Sequence, residues 1–292
     1  MNRVDVLCVG YACWDLNFLI PNHPGPDEKL FAQSLTSEGG GPASNAAYTI
    51  AQLGGRAAFM GQLGNDTFGR AHLEELREAG VDISCILISD TQTSTSSIWV
   101  NQQGQRAIVN YRPDRSDYAP AIEDLQAQCL LMDGHELEAS KALLQHFPDL
   151  PSILDAGSLN DSTRELSSMV THLVASSTFA TDLTGSTDSN DWLQRLSESA
   201  SFAAVTHGDQ GIYWQSSIGS GGHIKASAVE AIDTTAAGDI FHGAFALALS
   251  KGKAFPSALE WANQVAGISV TRVGGRRSVP QVTEVPSLND FE

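Results

Sequence analysis

Ala231-Ile-Asp-Thr-Thr-Ala-Ala-Gly-Asp-Ile-Phe-His-Gly-Ala-Phe-Ala-Leu-Ala248 is the stretch on which the reading of this chain turns. An acid, two threonines and a run of small residues lead into an apolar, Ala-rich segment with helical character. Asp239 falls where that helix begins. The first N–H groups of a helix have no partner inside it, and the positive end of its dipole favours anions. The segment therefore reads as a helix start built to hold a phosphate beside a carboxylate. Read without its surroundings, it is equally an ordinary helix with an acid in its first turn.

Upstream, Glu38-Gly-Gly-Gly-Pro-Ala-Ser-Asn-Ala-Ala-Tyr-Thr-Ile-Ala-Gln-Leu-Gly-Gly55 has the same texture. Three glycines let backbone approach a ligand. Pro42 suits the first turn of a helix and Gly54-Gly55 its end. Asn45, one turn in, offers a donor and an acceptor to a substrate hydroxyl. Nearer the N-terminus, the apolar run 4–9 predicts a buried strand of a parallel sheet. Asp15 follows just past its C-terminal end, where ligands bind in open α/β sheets.

Further apolar runs at 57–64, 129–132, 153–154, 173–175 and 202–205 alternate with helical or loop stretches, including a helix near 69–79. That alternation predicts a mostly parallel, doubly wound sheet with helices on both faces, a three-layer α/β/α arrangement in a single domain over 1–292. Segments 16–38 and 94–112 break the pattern with short strands around Pro-, Asn- and Gly-rich turns. They are expected to pair into a small β-sheet lid that excludes water from the reaction. Val205-Thr-His-Gly-Asp-Gln-Gly211 follows a strand, and Thr206, Gly208 and Gly211 suit a nucleotide phosphate or ribose, or simply a tight turn.

A net charge of -17 excludes a polyanion-binding surface and hence a nucleic-acid partner. No apolar run reaches the ~20 residues of a membrane helix. Cys8, Cys13, Cys85 and Cys129 form no CxxC pair. They read as free thiols of a reducing, cytoplasmic compartment. His135-Glu136 does not extend to a zinc-binding HExxH, because position 139 is Ala139. A Walker-type GxxxxGK[ST] loop is also missing from the sequence.

The glycine-rich helix start near residue 40 and Asp233-Thr-Thr-Ala-Ala-Gly-Asp239, in that order, resemble the two signatures of the PfkB (ribokinase-like) carbohydrate kinase family. Leu63-Gly-Asn-Asp-Thr-Phe-Gly69 and Ala262-Asn263 match as well, and the resemblance runs from residue 4 to about 280. Within the family, Asn110-Tyr111, Asp239-Ile-Phe-His-Gly-Ala244 and Thr271-Arg-Val-Gly-Gly-Arg276 look closest to the ketohexokinase-like and sulfofructose-kinase-like branch. The resemblance implies ATP-dependent phosphorylation of a sugar hydroxymethyl group. Asp239 would be the general base, with an anion hole at Ala236, Ala237 and Gly238. Asp15, Gly41 and Asn45 would bind sugar hydroxyls. Thr206, Gly208, Gly211 and Asn263 would line ATP. Mg²⁺ would travel with ATP, and a monovalent cation such as K⁺ would sit between Asp233, Thr235, Gly274 and Ser278.

Three departures from the family pattern bear on these roles. Ala236 stands where glycine is usual, which is tolerable only at negative φ. The Asn-x-x-Glu motif that supports the metal shell falls on Ser176-Ser-Thr-Phe179, without its glutamate, so Mg²⁺ must be held through water and phosphates. The sulfosugar kinases surround a sulfonate with Lys, Asn and Arg; Lys29 and Asn110 match, but His135 occupies the third place. Lys29 in the lid, with Arg106, Arg112 and Arg115 near Asn110, still suits an anionic tail on the sugar. The apolar lid strands (Phe18, Leu19, Ile20, Ile98, Trp99, Val100) need covering and predict a homodimer through the lid. A nucleoside kinase of the same fold and a sugar-binding regulator without catalysis are the alternative readings.

Overall fold

The computed structural model describes residues 3–115 and 121–291. A nine-stranded sheet forms the centre of the molecule. Its parallel part begins with β1 (Val6–Val9), which lies between strands that follow much later in the chain. Between β1 and the rest of that sheet, the chain makes β2 (Cys13–Leu19) and β3 (Ser34–Gly40), then α1 (Pro42–Gln52). It returns through β4 (Ala57–Gly64), α2 (Thr67–Glu78) and β5 (Asp82–Ser89), and leaves again as β6 (Thr95–Val100) and β7 (Arg106–Tyr111).

The second half winds through β8 (Cys129–Met132), α3 (Leu137–His146), β9 (Ser152–Ala156), α4 (Asp161–Leu166) and β10 (His172–Ser176). After α5 (Ser177–Thr184) and α6 (Ser189–Ser197) come β11 (Phe202–Thr206), β12 (Ile212–Ser216) and β13 (Gly221–Ile224). Two long helices, α7 (Ala237–Ser250) and α8 (Phe255–Ser269), follow. The large sheet runs β13-β12-β11-β10-β9-β8-β1-β4-β5. Its strands are parallel except β12 and β13.

The apolar runs are the strands covered on both faces. In β1, Val6 and Cys8 point into one core with α1, α7 and α8, while Leu7 and Val9 point into the other with α3 to α6. β8 divides the same way, Cys129 and Leu131 against Leu130 and Met132. This is the period of two expected of a strand. All four cysteines are free thiols, three of them buried. Sequence reading missed β5, β12 and β13, and helix α2 begins two residues earlier than expected. Asp66 caps α2, accepting from the Gly69 N–H at 2.8 Å.

Strands β2, β3, β6 and β7 form a separate four-stranded sheet, ordered β3-β2-β6-β7. The two segments that broke the alternation therefore pair with each other. Asp15 lies inside β2 of this small sheet, not in a turn after β1. Of the apolar strand residues expected to need covering, Ile20 and Ile98 are buried and Leu19 is exposed; Leu35, Ile108, Val109 and Tyr111 are exposed as well. No helix among the described residues is long and apolar enough to cross a membrane.

Candidate active site

Helices α1 and α7 cross in close contact because both carry small residues. A Cβ on Gly243 would lie 2.7 Å from the Ala46 carbonyl oxygen, so only glycine allows this approach. The crossing brings two residues far apart in sequence together. The Asn45 amide donates to Asp239 Oδ2 at 2.8 Å. Burial, then the charge of Asp155, push the Asp239 carboxyl up to about 7; the Asn45 bond opposes them, and Asp15 and Asp133 add to the rise. The residue as a whole is only partly buried.

Asn45 has less freedom than a substrate ligand was expected to have. Its Oδ1 accepts from Arg276 Nε at 3.1 Å, so both ends of the amide already have protein partners. Ala236 is a second correction: it precedes α7 at φ 58° and ψ 9°, in the left-handed region, not at negative φ. That conformation costs an L-residue about 1–2 kcal/mol. The chain holds it nonetheless, so the turn that aims the start of α7 is kept at the expense of local strain. Ala237 N–H makes a turn bond to Thr234 O at 3.3 Å, whereas the backbone at Gly238 is open, with nothing within 4 Å of where a Cβ would sit. No side chain caps α7, in contrast to α2 and α5.

Behind the start of α7 lies a cavity of about 330 Å³ lined by Thr206, Gly208, Gly211, Ala237, Gly238 and Asn263. These four candidate nucleotide residues and the helix start thus share one space. Gly208 and Gly211 take φ 52° and 88°, and a Cβ on Gly211 would strike the Ile224 carbonyl at 2.1 Å. Thr206 Oγ1 donates to Ala175 O at 3.4 Å, and Asn263 Nδ2 to Lys225 O at 2.8 Å.

On the other side of Asp239 stands the small sheet. Its register sets Glu38, Asp15, Ser96 and Asn110 in one row across the four strands. Arg106, on the same face of β7 as Asn110, donates to the hydroxyls of Thr234 and Thr235 at 3.2 and 3.3 Å. This face therefore looks toward the start of α7. Burial raises the Asp15 carboxyl, and Gly40 leaves it room: a Cβ there would lie 2.0 Å from Asp15 Oδ2. Gly41, at φ 98°, abuts the Tyr11 carbonyl. Lys29 lies on the exposed connection between β2 and β3.

Asp133, immediately after β8, ties the ends of the central strands together. Its Oδ2 accepts from the Tyr11 and Ala43 N–H groups at 2.8 and 3.1 Å, and its Oδ1 from His135 N at 3.0 Å. His135 Nδ1 is 3.0 Å from the same oxygen. Burial works to lower the His135 pKa, but the charge and hydrogen bond of Asp133 outweigh it and leave the imidazole above its ordinary value. The His135 ring stacks on Tyr11 at 4.8 Å, and the exposed Arg112 guanidinium lies 4.4 Å from the Tyr11 ring centre.

The loops around Asp233 and Gly274 meet. Asp233 Oδ1 accepts from Thr235 N and Oγ1 at 2.9 and 2.7 Å, and Oδ2 from Gly274 N at 2.9 Å. Ser278 is buried with its hydroxyl turned to Gly275 O at 2.7 Å. At the position of the missing motif, Phe179 is fully buried, and Ser176 caps α5 while its hydroxyl donates to Gly157 O at 2.8 Å. Among the described residues, no group of three or more His, Cys, Asp or Glu is placed to hold a metal ion.

Sequence reasoning gave no role to Asp133, Asp155, His242 or Arg276. Asp133 and Asp155 sit at C-terminal strand ends, the same signal that singled out Asp15. His242 Nδ1 lies 2.7 Å from Gly238 O and 3.2 Å from Asp155 Oδ2, which joins the start of α7 to β9.

Comparison with known proteins agrees with this geometry. Residues 3–282 match the pfkB family carbohydrate kinase. A ribokinase of Haemophilus influenzae is 30% identical over 282 residues, covering 89% of this chain and 90% of the relative. A fructokinase of Vibrio alginolyticus is 28% identical, covering 86% and 91%. The crystal structure of a putative ribokinase from Agrobacterium tumefaciens superimposes with a TM-score of 0.89 at 32% identity, covering 97% of this chain and 96% of the other. The chain belongs to the pfkB family of carbohydrate kinases and is an ATP-dependent carbohydrate kinase.

Proposed function

We propose that this kinase phosphorylates a hydroxymethyl group of a ketose-like sugar derivative, and that the acceptor carries an anionic group. The observation that carries the reading is the place of Asp239. It directly follows Ala237 and Gly238, which line the cavity at the start of α7, and lies close enough to Asp15 of the small sheet to feel its charge. A carboxyl held near 7 is poised between its two forms at neutral pH, as general-base catalysis favours.

In this reading Asp239 removes the proton of the acceptor hydroxyl as that oxygen attacks the terminal phosphorus of ATP. The bond from that phosphorus to its bridging oxygen breaks, and ADP leaves. Phosphoryl transfer asks the protein mainly for position and charge stabilisation. The N–H groups at the start of α7, at Ala236 and Gly238, supply the second. Asp15 and Gly41 hold sugar hydroxyls, and Asn45 offers another the second N–H of its amide, the first being given to Asp239. Mg²⁺ arriving with ATP would be held mainly by phosphates and water and would need few protein carboxylates. The junction of Asp233, Thr235, Gly274 and Ser278 would take a monovalent cation such as K⁺. The anionic group is supported by His135, favoured in its charged form, with Arg112 across the Tyr11 ring. Placement in the ketohexokinase and sulfofructose-kinase branch rests on the motifs alone. The exposed outer face of the small sheet would be covered by a second copy, in a cytoplasmic homodimer.

A coupled ADP-release screen over ketoses, aldoses, sugar acids, sulfosugars and nucleosides tests the acceptor. An acidic ketose derivative should give the highest kcat/KM, and turnover of nucleosides alone would overturn the reading. Asp239→Asn should lower kcat about 10²–10⁴-fold. In the parent enzyme kcat should fall about tenfold per pH unit below about 7, as the base becomes protonated.

A further inference from the structure

Arg276 lies on the loop after α8 and is 4% exposed. Four of its contacts are to side chains of two helices. Nη1 donates to Glu75 Oε2 at 2.9 Å, and Nη2 to Ser44 Oγ at 2.9 Å. Nη2 also lies 2.7 Å from His72 Nε2. His72 Nδ1 faces the Cys13 carbonyl at 3.0 Å, an acceptor only, so Nδ1 carries the ring proton and Nε2 accepts from the guanidinium. Ser44 spends its own proton on Gly40 O at 2.7 Å and so presents a lone pair to Arg276. The face of Tyr48 lies 5.2 Å from the guanidinium carbon. These neighbours fix the guanidinium in one orientation, in which its Nε–H points at Asn45 Oδ1 at 3.1 Å.

A carboxamide presents an acceptor on one end and donors on the other. A guanidinium cannot accept, so the amide oxygen of Asn45 has to face Arg276. The amide nitrogen then has to face Asp239 Oδ2. We propose that Arg276 is a positioning residue for the catalytic base: by locking the Asn45 amide in this orientation it keeps an N–H donor on the Asp239 carboxylate. This inference rests on Asp239 being the base.

The donor matters because Asp239 stands among like charges. Asp155 faces it from β9, Asp15 from β2 and Asp133 from the end of β8, and the Asn45 amide on α1 opposes their effect. With Arg276 gone, the amide is free to turn its oxygen toward the carboxylate. Asp239 then loses a bond to its charged form, and its protonation midpoint rises.

The test needs no knowledge of the sugar. Protein labelled with ¹³C at the aspartate carboxyls is titrated by NMR, and the Asp239 resonance is the one lost in Asp239→Asn. Arg276→Gln and Asn45→Leu should each raise the Asp239 midpoint by about one pH unit. The double variant should show no more than Asn45→Leu alone. Arg276→Lys, which keeps charge without the fixed fork, should recover part of the shift. Glu75→Gln leaves the guanidinium in place but loosens it, and should move the midpoint the same way by less; it carries the test if Arg276→Gln does not fold. A folded Arg276→Gln whose midpoint stays at the parent value while Asn45→Leu shifts overturns the proposal. So does a further shift in the double variant, which would mean that Arg276 acts on Asp239 independently of Asn45. The base assignment fails separately, if Asp239→Asn keeps near-normal kcat.

Discussion

The crossing of α1 and α7 and the small sheet bound the same cleft and are built in opposite ways. At the crossing, glycine and alanine bring two helices together, and the polar groups enclosed there are hydrogen-bonded: Asn45 to Asp239 and Arg276, Thr49 to its own helix. On the small sheet, Leu35, Val109 and Tyr111 are half or more exposed, on the face opposite Asp15 and Asn110. The first region encloses charge and cannot tolerate volume. The second exposes apolar surface and has room to spare. The carboxylate proposed as base needs the rigidity of the first, whereas the proposed lid and homodimer contact would be served by the second.

Three variants can break or sharpen that contrast. Gly243→Val should have the largest effect, because its side chain would run into Ala46 O and Thr49. Overpacking of this kind costs about 1–3 kcal/mol, and it should separate Asn45 from Asp239. Denaturant melts and kcat should both fall, and a stable variant with parent kcat would show that the crossing is looser than described. Ala236→Gly should come next and act in the opposite direction. Relief of the left-handed strain should stabilise the protein by about 1 kcal/mol, read as an increase in Tm, with no loss of kcat. No change in Tm would mean that glycine's freedom in the unfolded chain cancels the relief. The smallest effect on stability should come from Leu35→Lys combined with Val109→Lys, within about 0.5 kcal/mol for an exposed surface. If the outer face is the homodimer contact, light scattering at micromolar concentration should show the parent as a dimer and the variant as a monomer. A monomeric parent removes that proposal.

The frame of the molecule was legible in the sequence because buried parallel strands read as unbroken apolar runs, and β1, β4, β8 and β11 are of that kind. β5 was missed because it lies at the sheet edge and is only half covered, so its sequence, Asp-Ile-Ser-Cys-Ile-Leu-Ile-Ser, announces neither a core strand nor a clean alternation. Asp239 and Asn45 stood out because each opens a helix beside glycine. Their hydrogen bond did not, since it depends on how closely two helices approach across 194 positions. Ala236 shows the limit of a local rule. A side chain at that position argued for negative φ, yet the loop imposes the left-handed turn and carries its cost. Arg276 was visible as part of a motif, but its role depends on partners supplied by α1 and α2.

The link between Glu38 and Gly275 has a consequence for how the protein is made. Glu38 Oε1 accepts from Gly275 N at 2.9 Å, across 237 positions of chain, and Arg276 reaches back almost as far to Asn45. A ribosome that has delivered both sheets and α7 has still not delivered the residues that close the cleft behind Asn45. Because loop closure over so many residues comes late, the site is completed only when the last part of the chain leaves the exit tunnel. A premature stop between residues 270 and 275 should therefore leave a chain with every described strand, and a coupled kinase assay should find no working centre.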